Sequence, residues 1–365
     1  MIKNLEPFKS IYFYVELAQD KNMTHTKNWL FTPTSADLFF SKNDPQDVRL
    51  GELVKTTSIK DLNLQQSPLD AVMKHQCPHI IWGYPDDEGI AMNGGRPGAK
   101  DAPAMIRKFL YRMTPPLFAD QISKNFALDL GDFNFTKSDL AERHQYGKDL
   151  SFHLYQQNFK TLSLGGGHDY GYPDAAGFLQ SQLLKAKNST DIKPVVINFD
   201  AHLDVRPTTH GFHSGTPFYR LLTEFPKQFH FIEVGIQDQC NSPRHKQWLT
   251  EQGGHSFDLN SLRSTTAFPS MLTSFQKRFE NLVPKNTPAF ISVDIDAFTS
   301  DSAPGCSQSW ATGMTTSEFF PLFQYLNHYL KVEGLGIYEV SPALDHDSRT
   351  SKLAALIAYH YLFQQ

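Results

Sequence analysis

Six residues in three short segments have the types and spacing for metal chemistry. They are His168 in Gly165-Gly166-Gly167-His168-Asp169, then Asp200, His202 and Asp204 in Asp200-Ala201-His202-Leu203-Asp204, and finally Asp294 and Asp296 in Asp294-Ile295-Asp296. Alternate residues of an extended segment point to one side. Asp200-x-His202-x-Asp204 can therefore turn three donors the same way, and Asp294-x-Asp296 two more. Aspartate can bridge two cations and imidazole adds a neutral donor, so the set suits a pair of divalent ions better than one. A mixed oxygen and nitrogen shell fits Mn²⁺ better than Ca²⁺ or a structural zinc. Two such ions roughly 3.5–4 Å apart can share and activate water at neutral pH. The competing reading is that these are solvated acids in turns; it explains one segment more easily than three.

Each segment follows or ends an apolar, β-prone run: Leu162 to Leu164, Val195 to Phe199, and Phe290 to Val293. In a parallel sheet this places all three at the carboxyl ends of strands, where open α/β sheets put their ligand sites. From His79 onward strands and helices alternate. The pattern predicts strands at His79–Trp82, Phe126–Leu130, Lys160–Leu164, Val195–Phe199, Phe229–Val234, Gly254–Phe257, Ala289–Val293 and Leu335–Val340. The clearest helices are Ala102–Tyr111, Ser214–Glu224, Thr316–Tyr329 and Arg349–Phe363, each near a Ser, Thr or Asp able to cap it. Such alternation implies a mainly parallel sheet with helices on both faces and right-handed crossovers. Two connections, Gly83 to Gly98 and Asp296 to Gly313, are longer than is usual in these units, and both leave the edge that carries the acids. Residues 1–75 are less regular, with an aromatic cluster at Tyr12, Phe13 and Tyr14 and a loop at Ser41 to Asp47. They read as an N-terminal extension packed on a main domain of residues 76–365.

Composition narrows the partners. The chain has 365 residues, 40% hydrophobic and 20% charged, with a net charge of -4, an ordinary globular balance. Its 34 basic residues form no polybasic block, which disfavours nucleic acid or an anionic membrane as the main partner. No apolar run approaches the roughly 20 residues of a membrane helix. The first residues carry no signal-peptide core. Three cysteines, Cys77, Cys240 and Cys306, are too scattered for a disulfide framework or a zinc finger. A reducing cytoplasm follows as the expected location. No phosphate loop, dinucleotide fingerprint or serine-hydrolase elbow is present.

The order Gly-Gly-Gly-His168-Asp, Asp200-Ala-His-Leu-Asp204, Ser292-Val-Asp-Ile-Asp296 and Glu339-Val-Ser-Pro342 resembles the ureohydrolases, the family of arginase, agmatinase and formimidoylglutamase. The resemblance covers about residues 75–365. It implies an α/β fold of three layers, α/β/α, with a mainly parallel eight-stranded sheet (arginase-like), and two Mn²⁺ per subunit. By motif match, His168, Asp200, Asp204 and Asp294 hold one ion, and Asp200, His202, Asp294 and Asp296 the other. It further implies a small-molecule amidine or guanidine substrate and a homo-oligomer.

Within that family the chain is most similar to formimidoylglutamase. Gly167, Asp169 and Leu203 stand where arginases and agmatinases favour an acid, Ser and Thr. Val205-Arg206-Pro207, Ser214 to Phe218, Asn93-Gly94-Gly95-Arg96, Ser341 to Asp345 with Arg349-Thr350, and Asp47 to Gly51 point the same way. The implied reaction is hydrolysis of N-formimidoyl-L-glutamate to formamide and L-glutamate in histidine degradation. Glu339 matches the carboxylate that pairs with the amidine group, and Asp204 is placed to orient the attacking water and relay its proton. A proton-shuttling His is implied in the loop after the Asp-x-His-x-Asp segment. His213 fits this better than His210. A glutamate substrate also calls for cations, and Arg96, Arg206 and Arg349 sit on loops expected at the same edge. Cys306 reads as a buried, inert thiol. The alternatives are another ureohydrolase (agmatinase, arginase or a guanidino-acid hydrolase), a non-catalytic metal-binding protein on the same scaffold, and, disfavoured by Asp294-Ile-Asp296 and Glu339, a deacetylase.

Overall fold

The computed structural model describes residues 31–56, 77–116, 126–135, 138–186, 193–264 and 270–363. The cluster at Tyr12 to Tyr14 lies outside them. Among the described residues ten strands form one sheet. They are β1 (Phe31–Thr32), β2 (Lys55–Thr56), β3 (His79–Gly83), β4 (Ala127–Phe133), β5 (Lys160–Leu164), β6 (Val195–Phe199), β7 (His230–Ile236), β8 (His255–Asp258), β9 (Pro288–Asp294) and β10 (Lys331–Tyr338). Their order is β1-β4-β3-β5-β10-β9-β6-β7-β8, with β2 also paired to β4. The eight strands from β3 to β10 run parallel; β1 alone is antiparallel.

Among the described residues, eight helices of eight or more residues cover the sheet: α1 (Ala102–Leu110), α2 (Leu140–Gln156), α3 (Gly171–Ala186), α4 (Pro217–Glu224), α5 (Pro243–Glu251), α6 (Met271–Glu280), α7 (Thr316–Tyr329) and α8 (Arg349–Phe363). The strands explain why both faces need cover. Along β6, Ile197 belongs to the apolar core that also holds Ile106, Phe323 and Leu353 on one face, whereas Val196 belongs to the core with Phe178, Leu179 and Phe218 on the other. Strands buried on both sides read as continuous apolar runs, and only an α/β/α sandwich satisfies them. Among the described residues no helix is long and apolar enough to cross a membrane.

The expected strands at Lys160–Leu164 and Val195–Phe199 and helices at Thr316–Tyr329 and Arg349–Phe363 have the observed bounds. At α7, Thr315 and Glu318 form a reciprocal capping box. The Asp345 carboxylate accepts the Thr350 and Ser351 amides at the start of α8. Two boundaries differ with a physical cause. Strand β10 begins at Lys331 and stops at Tyr338, not at Leu335 and Val340. Its Gly334 and Gly336 hide the apolar pattern, because the Tyr155 hydroxyl and the Tyr338 ring occupy the space their side chains would need. Helix α4 begins at Pro217, not Ser214; proline favours the first helical position, and Ser214 is bonded elsewhere.

Residues 31–56 lie against the β4 edge of the sheet. β1 and β2 both pair with β4, and the Leu50 and Gly51 amides donate to the Met113 and Tyr111 carbonyls at 2.9 and 3.0 Å. A buried ion pair locks this corner. Arg107 is fully buried; its Nη2 donates to Asp129 Oδ1 at 2.9 Å, and it also binds Asp132. Asp129 accepts as well from Thr34 and Tyr111, both at 2.7 Å. Arg107→Met leaves two carboxylates without their cation, one of them wholly buried. The expected loss is about 3–5 kcal/mol, read as a lower urea midpoint with an unchanged slope.

Candidate metal centre and cavity

Strands β5, β10, β9 and β6 are consecutive neighbours in the sheet, so the segments leaving their carboxyl ends emerge side by side. After β5, Gly165 and Gly166 adopt φ +67° and +85°. A side chain at either would collide with Ala102 and Pro103 or with Tyr84, and this tight turn delivers His168. Asp204 and Glu339 also have positive φ, +47° and +64°, a backbone region that non-glycine residues enter at a cost of about 1–3 kcal/mol.

The six expected donors converge. His168 Nδ1 lies 2.9 Å from Asp204 Oδ2 and 3.1 Å from both Asp200 Oδ2 and Asp294 Oδ2. His202 Nδ1 lies 3.1 Å from Asp296 Oδ2 and 3.4 Å from Asp200 Oδ1. Two donor groups result, one of His168, Asp200, Asp204 and Asp294 and one of Asp200, His202 and Asp296. Asp200 belongs to both. Asp294, expected in both, falls in the first group, and its Oδ1 accepts the Asp296 amide at 2.8 Å. The His168 ring is aimed by Ser292, whose Oγ lies 2.9 Å from Nε2, and by stacking on Tyr338 with centroids 5.3 Å apart.

The electrostatics call for a cation. Asp200, Asp294, Asp296 and Glu339 are all buried, and His168 Nδ1 and Asp296 Oδ1 are buried without a hydrogen-bond partner. Burial pushes the Asp296 carboxyl up to about 7. Burial and then the charge of Asp294 push Glu339 well above the usual carboxylate range. Burial opposes charge on His168 too, but the Asp200, Asp204 and Asp294 carboxylates outweigh it and raise the imidazole. Protons thus stand in for cations that a nitrogen and oxygen donor set of this kind can bind, and the residues fit a divalent pair.

Above this floor opens a cavity of about 390 Å³. Both long loops line it, through Asn93 and Gly95 from the first and Ser307, Gln308 and Trp310 from the second. Of the three expected arginines only Arg206 lines it. Arg96 instead staples the loops together: its guanidinium donates to the Cys306 and Ser307 carbonyls at 3.0 and 2.9 Å, and its amide donates to Ser307 Oγ at 2.9 Å. Arg349 is exposed, ion-paired to Asp347, and donates to the Asp301 carbonyl at 2.8 Å. His213 is buried behind the wall, its Nδ1 accepting the Gly215 amide at 3.2 Å. Burial, then Arg206, pushes its imidazole down. His210 is exposed and does not line the cavity. Cys306 is buried, its thiol 3.5 Å from the Ala303 carbonyl. Sequence reasoning missed His245, which lines the wall from the first turn of α5, and no local pattern marks it. Ser292 was legible in principle, since it sits two residues before Asp294 on the same face of β9.

Comparison with known proteins adds a family. Residues 78–363 match the model described as the arginase family. The chain is 28% identical over 300 residues to a formimidoylglutamase of Paraburkholderia xenovorans, covering 80% of this chain and 88% of that one. It is 30% identical to a formimidoylglutamase of Legionella pneumophila (strain Paris), covering 76% and 82%. The crystal structure of Trypanosoma cruzi formiminoglutamase with Mn²⁺ superposes with a TM-score of 0.68 at 29% identity, over 87% of this chain and 98% of that one.

Because Asp200 alone belongs to both donor groups, Asp200→Asn is expected to empty both positions, whereas His202→Asn empties one; metal analysis of the purified variants counts the ions retained. Ser292→Ala, which frees the His168 ring, is expected to weaken binding by roughly 10–100-fold. The pH dependence has a definite sign. Asp296, raised to about 7, holds a proton below that pH, so metal must displace it there. Affinity should rise as pH climbs through about 7, with proton release in calorimetry that shrinks above it.

Proposed function

Since the chain belongs to the arginase family, we propose that it hydrolyses N-formimidoyl-L-glutamate to formamide and L-glutamate, a step of histidine degradation. The relatives named formimidoylglutamase or formiminoglutamase, matched over most of the chain, support the substrate. The observation that carries the chemistry is Glu339: a buried carboxylate with a strained backbone, lining the cavity beside a complete six-donor centre. Family resemblance extends the reading to a cytoplasmic homo-oligomer.

His168, Asp200, Asp204 and Asp294 would hold one Mn²⁺, and Asp200, His202 and Asp296, with Asp294 adjacent, the second. When bound, the pair supplies the Lewis acidity that makes water a nucleophile at neutral pH. The protein's own groups do the rest. Glu339 Oε1 accepts the His168 amide at 3.0 Å, which leaves Oε2 for the substrate's amidinium. A cation there favours the ionised form of a carboxyl that burial otherwise keeps protonated. Asp204 orients the attacking water and takes its proton, then returns it to the substrate nitrogen. The water oxygen adds to the formimidoyl carbon, and the bond from that carbon to the glutamate nitrogen breaks. Formamide leaves with the former imino nitrogen, and glutamate leaves as the amine. Arg206 takes a substrate carboxylate. His213 is the remaining group for proton exchange, and with Nδ1 committed to Gly215 any exchange runs through Nε2.

Assay of the Mn²⁺-loaded protein against a substrate panel tests this reading. Formamide from formimidoylglutamate is expected, without urea from arginine or agmatine; the reverse result overturns it. Asp204→Asn, which also touches a donor group, is expected to lower kcat by at least 10²–10⁴-fold. Glu339→Gln keeps the bond to His168 but loses the charge for the amidinium, so kcat/KM should fall by about 10–100-fold.

A further inference from the structure

We infer that Asn93 is a positioning residue for anion recognition: it aims the Arg206 guanidinium at the cavity while leaving its charge unpaired for a substrate carboxylate. This rests on the reading above that the substrate carries carboxylates. The bonding is specific. Asn93 Oδ1 accepts from Arg206 Nη1 at 2.9 Å, and Asn93 Nδ2 donates to Ser214 Oγ at 3.0 Å. The main chains reinforce the link. The Arg206 amide donates to the Gly215 carbonyl at 2.9 Å, and the Ser214 amide donates to the Gly89 carbonyl at 3.1 Å, within the short helix Glu88–Met92 that Asn93 terminates. The loop after β3 and the segment after β6 are thus fastened at Arg206, and Asn93, Arg206 and Ser214 all line the cavity.

Arg206 is the arginine that lines the cavity, and its charge is left uncancelled. Arg49, Arg107, Arg143, Arg263 and Arg349 each pair with a carboxylate. Among the described residues no carboxylate ion-pairs with Arg206. Its anchor is instead a neutral amide oxygen. An amide fixes the direction of a guanidinium without cancelling its charge, whereas a carboxylate in the same place would neutralise it and repel an incoming anion. The cavity floor is acidic, so the wall is where a substrate's negative end has to be held.

Asn93→Asp separates this role from a merely structural one. It keeps the shape, can still accept from Arg206 and can accept from the Ser214 hydroxyl, so a residue that only fastened the loop would tolerate the change. If Asn93 presents a charged Arg206, the new carboxylate captures that charge. L-glutamate binding to the Mn²⁺-loaded full-length protein, measured by calorimetry, should then weaken by about 10–100-fold. KM for formimidoylglutamate should rise in step, with the greater part of the loss in KM rather than kcat. Asn93→Ala should weaken glutamate by a smaller factor, and guanidinium ion in the buffer should partly restore glutamate binding to Arg206→Ala. Equal glutamate affinity in wild type and Asn93→Asp, or no glutamate binding by the wild type, overturns the inference. Absence of formamide release by a wild type that binds glutamate overturns the proposed reaction instead, so the two failures are distinct.

Discussion

The rest of the structure is arranged around an excess of buried negative charge at one edge of the sheet. Asp200, Asp204, Asp294 and Asp296 meet within a few ångströms, with Glu339 beside them. Isolated buried carboxylates are far too costly to persist as ions unless paired or bound to metal. The strand order makes the crowding unavoidable, since β6, β9, β10 and β5 are adjacent, three of them end in segments that carry donors, and β10 ends beside Glu339. The same order makes it useful, because a cation placed there is held from three separate strands rather than by one flexible loop.

Three polar networks behind the donors keep them in place. Asp174, fully buried on α3, accepts from Tyr84 and Tyr338, both at 2.6 Å, and from Ser151 and Ser163; Tyr338 in turn stacks on His168. Asp169, next to His168, lies 2.6 Å from His144 Nε2, and Arg220 donates to His144 Nδ1 at 2.7 Å. An arginine only donates, so this contact fixes the tautomer: Nδ1 accepts and Nε2 donates to Asp169. The Arg220 guanidinium is itself sandwiched 3.6 Å from both the Tyr172 and Phe212 rings. Behind Asp200, the Asn198 amide donates to it at 3.2 Å and to the buried Glu233 at 2.9 Å. Each network joins a donor segment to a different helix or strand, so the centre is braced from below and from the side.

The six donors and the fold class were legible because both follow from local pattern. An apolar run followed by alternating acids and imidazole specifies a strand end and a shared direction at once. The arginines were not legible for the opposite reason. Arg96, Arg206 and Arg349 look alike in sequence, and their roles depend on distant partners: the Ser307 carbonyl for Arg96, Asn93 for Arg206, and the Asp301 carbonyl, beside the nearby Asp347, for Arg349. The burial of His213 was no more legible. The turn to Gly215 and Thr216 that folds it behind the wall carries no mark in the local pattern. Glycines concealed the start of β10, since the space above Gly334 is filled from elsewhere in the fold, by Tyr155, and that above Gly336 by Tyr338 of the same strand.

Some of the backbone strain falls where the proposed chemistry falls. Asp204 and Glu339 are the non-glycine residues of the cavity with positive φ, together about 2–6 kcal/mol of unfavourable conformation, which is large beside the 5–15 kcal/mol typical of a whole domain. Glycine at either position would relieve the strain but remove the carboxylate. The conformation survives because neighbours dictate it. The Glu339 amide donates to the Gly166 carbonyl at 3.0 Å while its side chain accepts from His168, and the Asp204 carbonyl accepts the Phe218 amide at 3.2 Å in the first turn of α4. The sheet edge and a helix start therefore hold both carboxylates in directions their own backbones disfavour. Each is aimed at the cavity before a substrate arrives, and the energy of that aiming is supplied by the packing of the whole α/β/α sandwich.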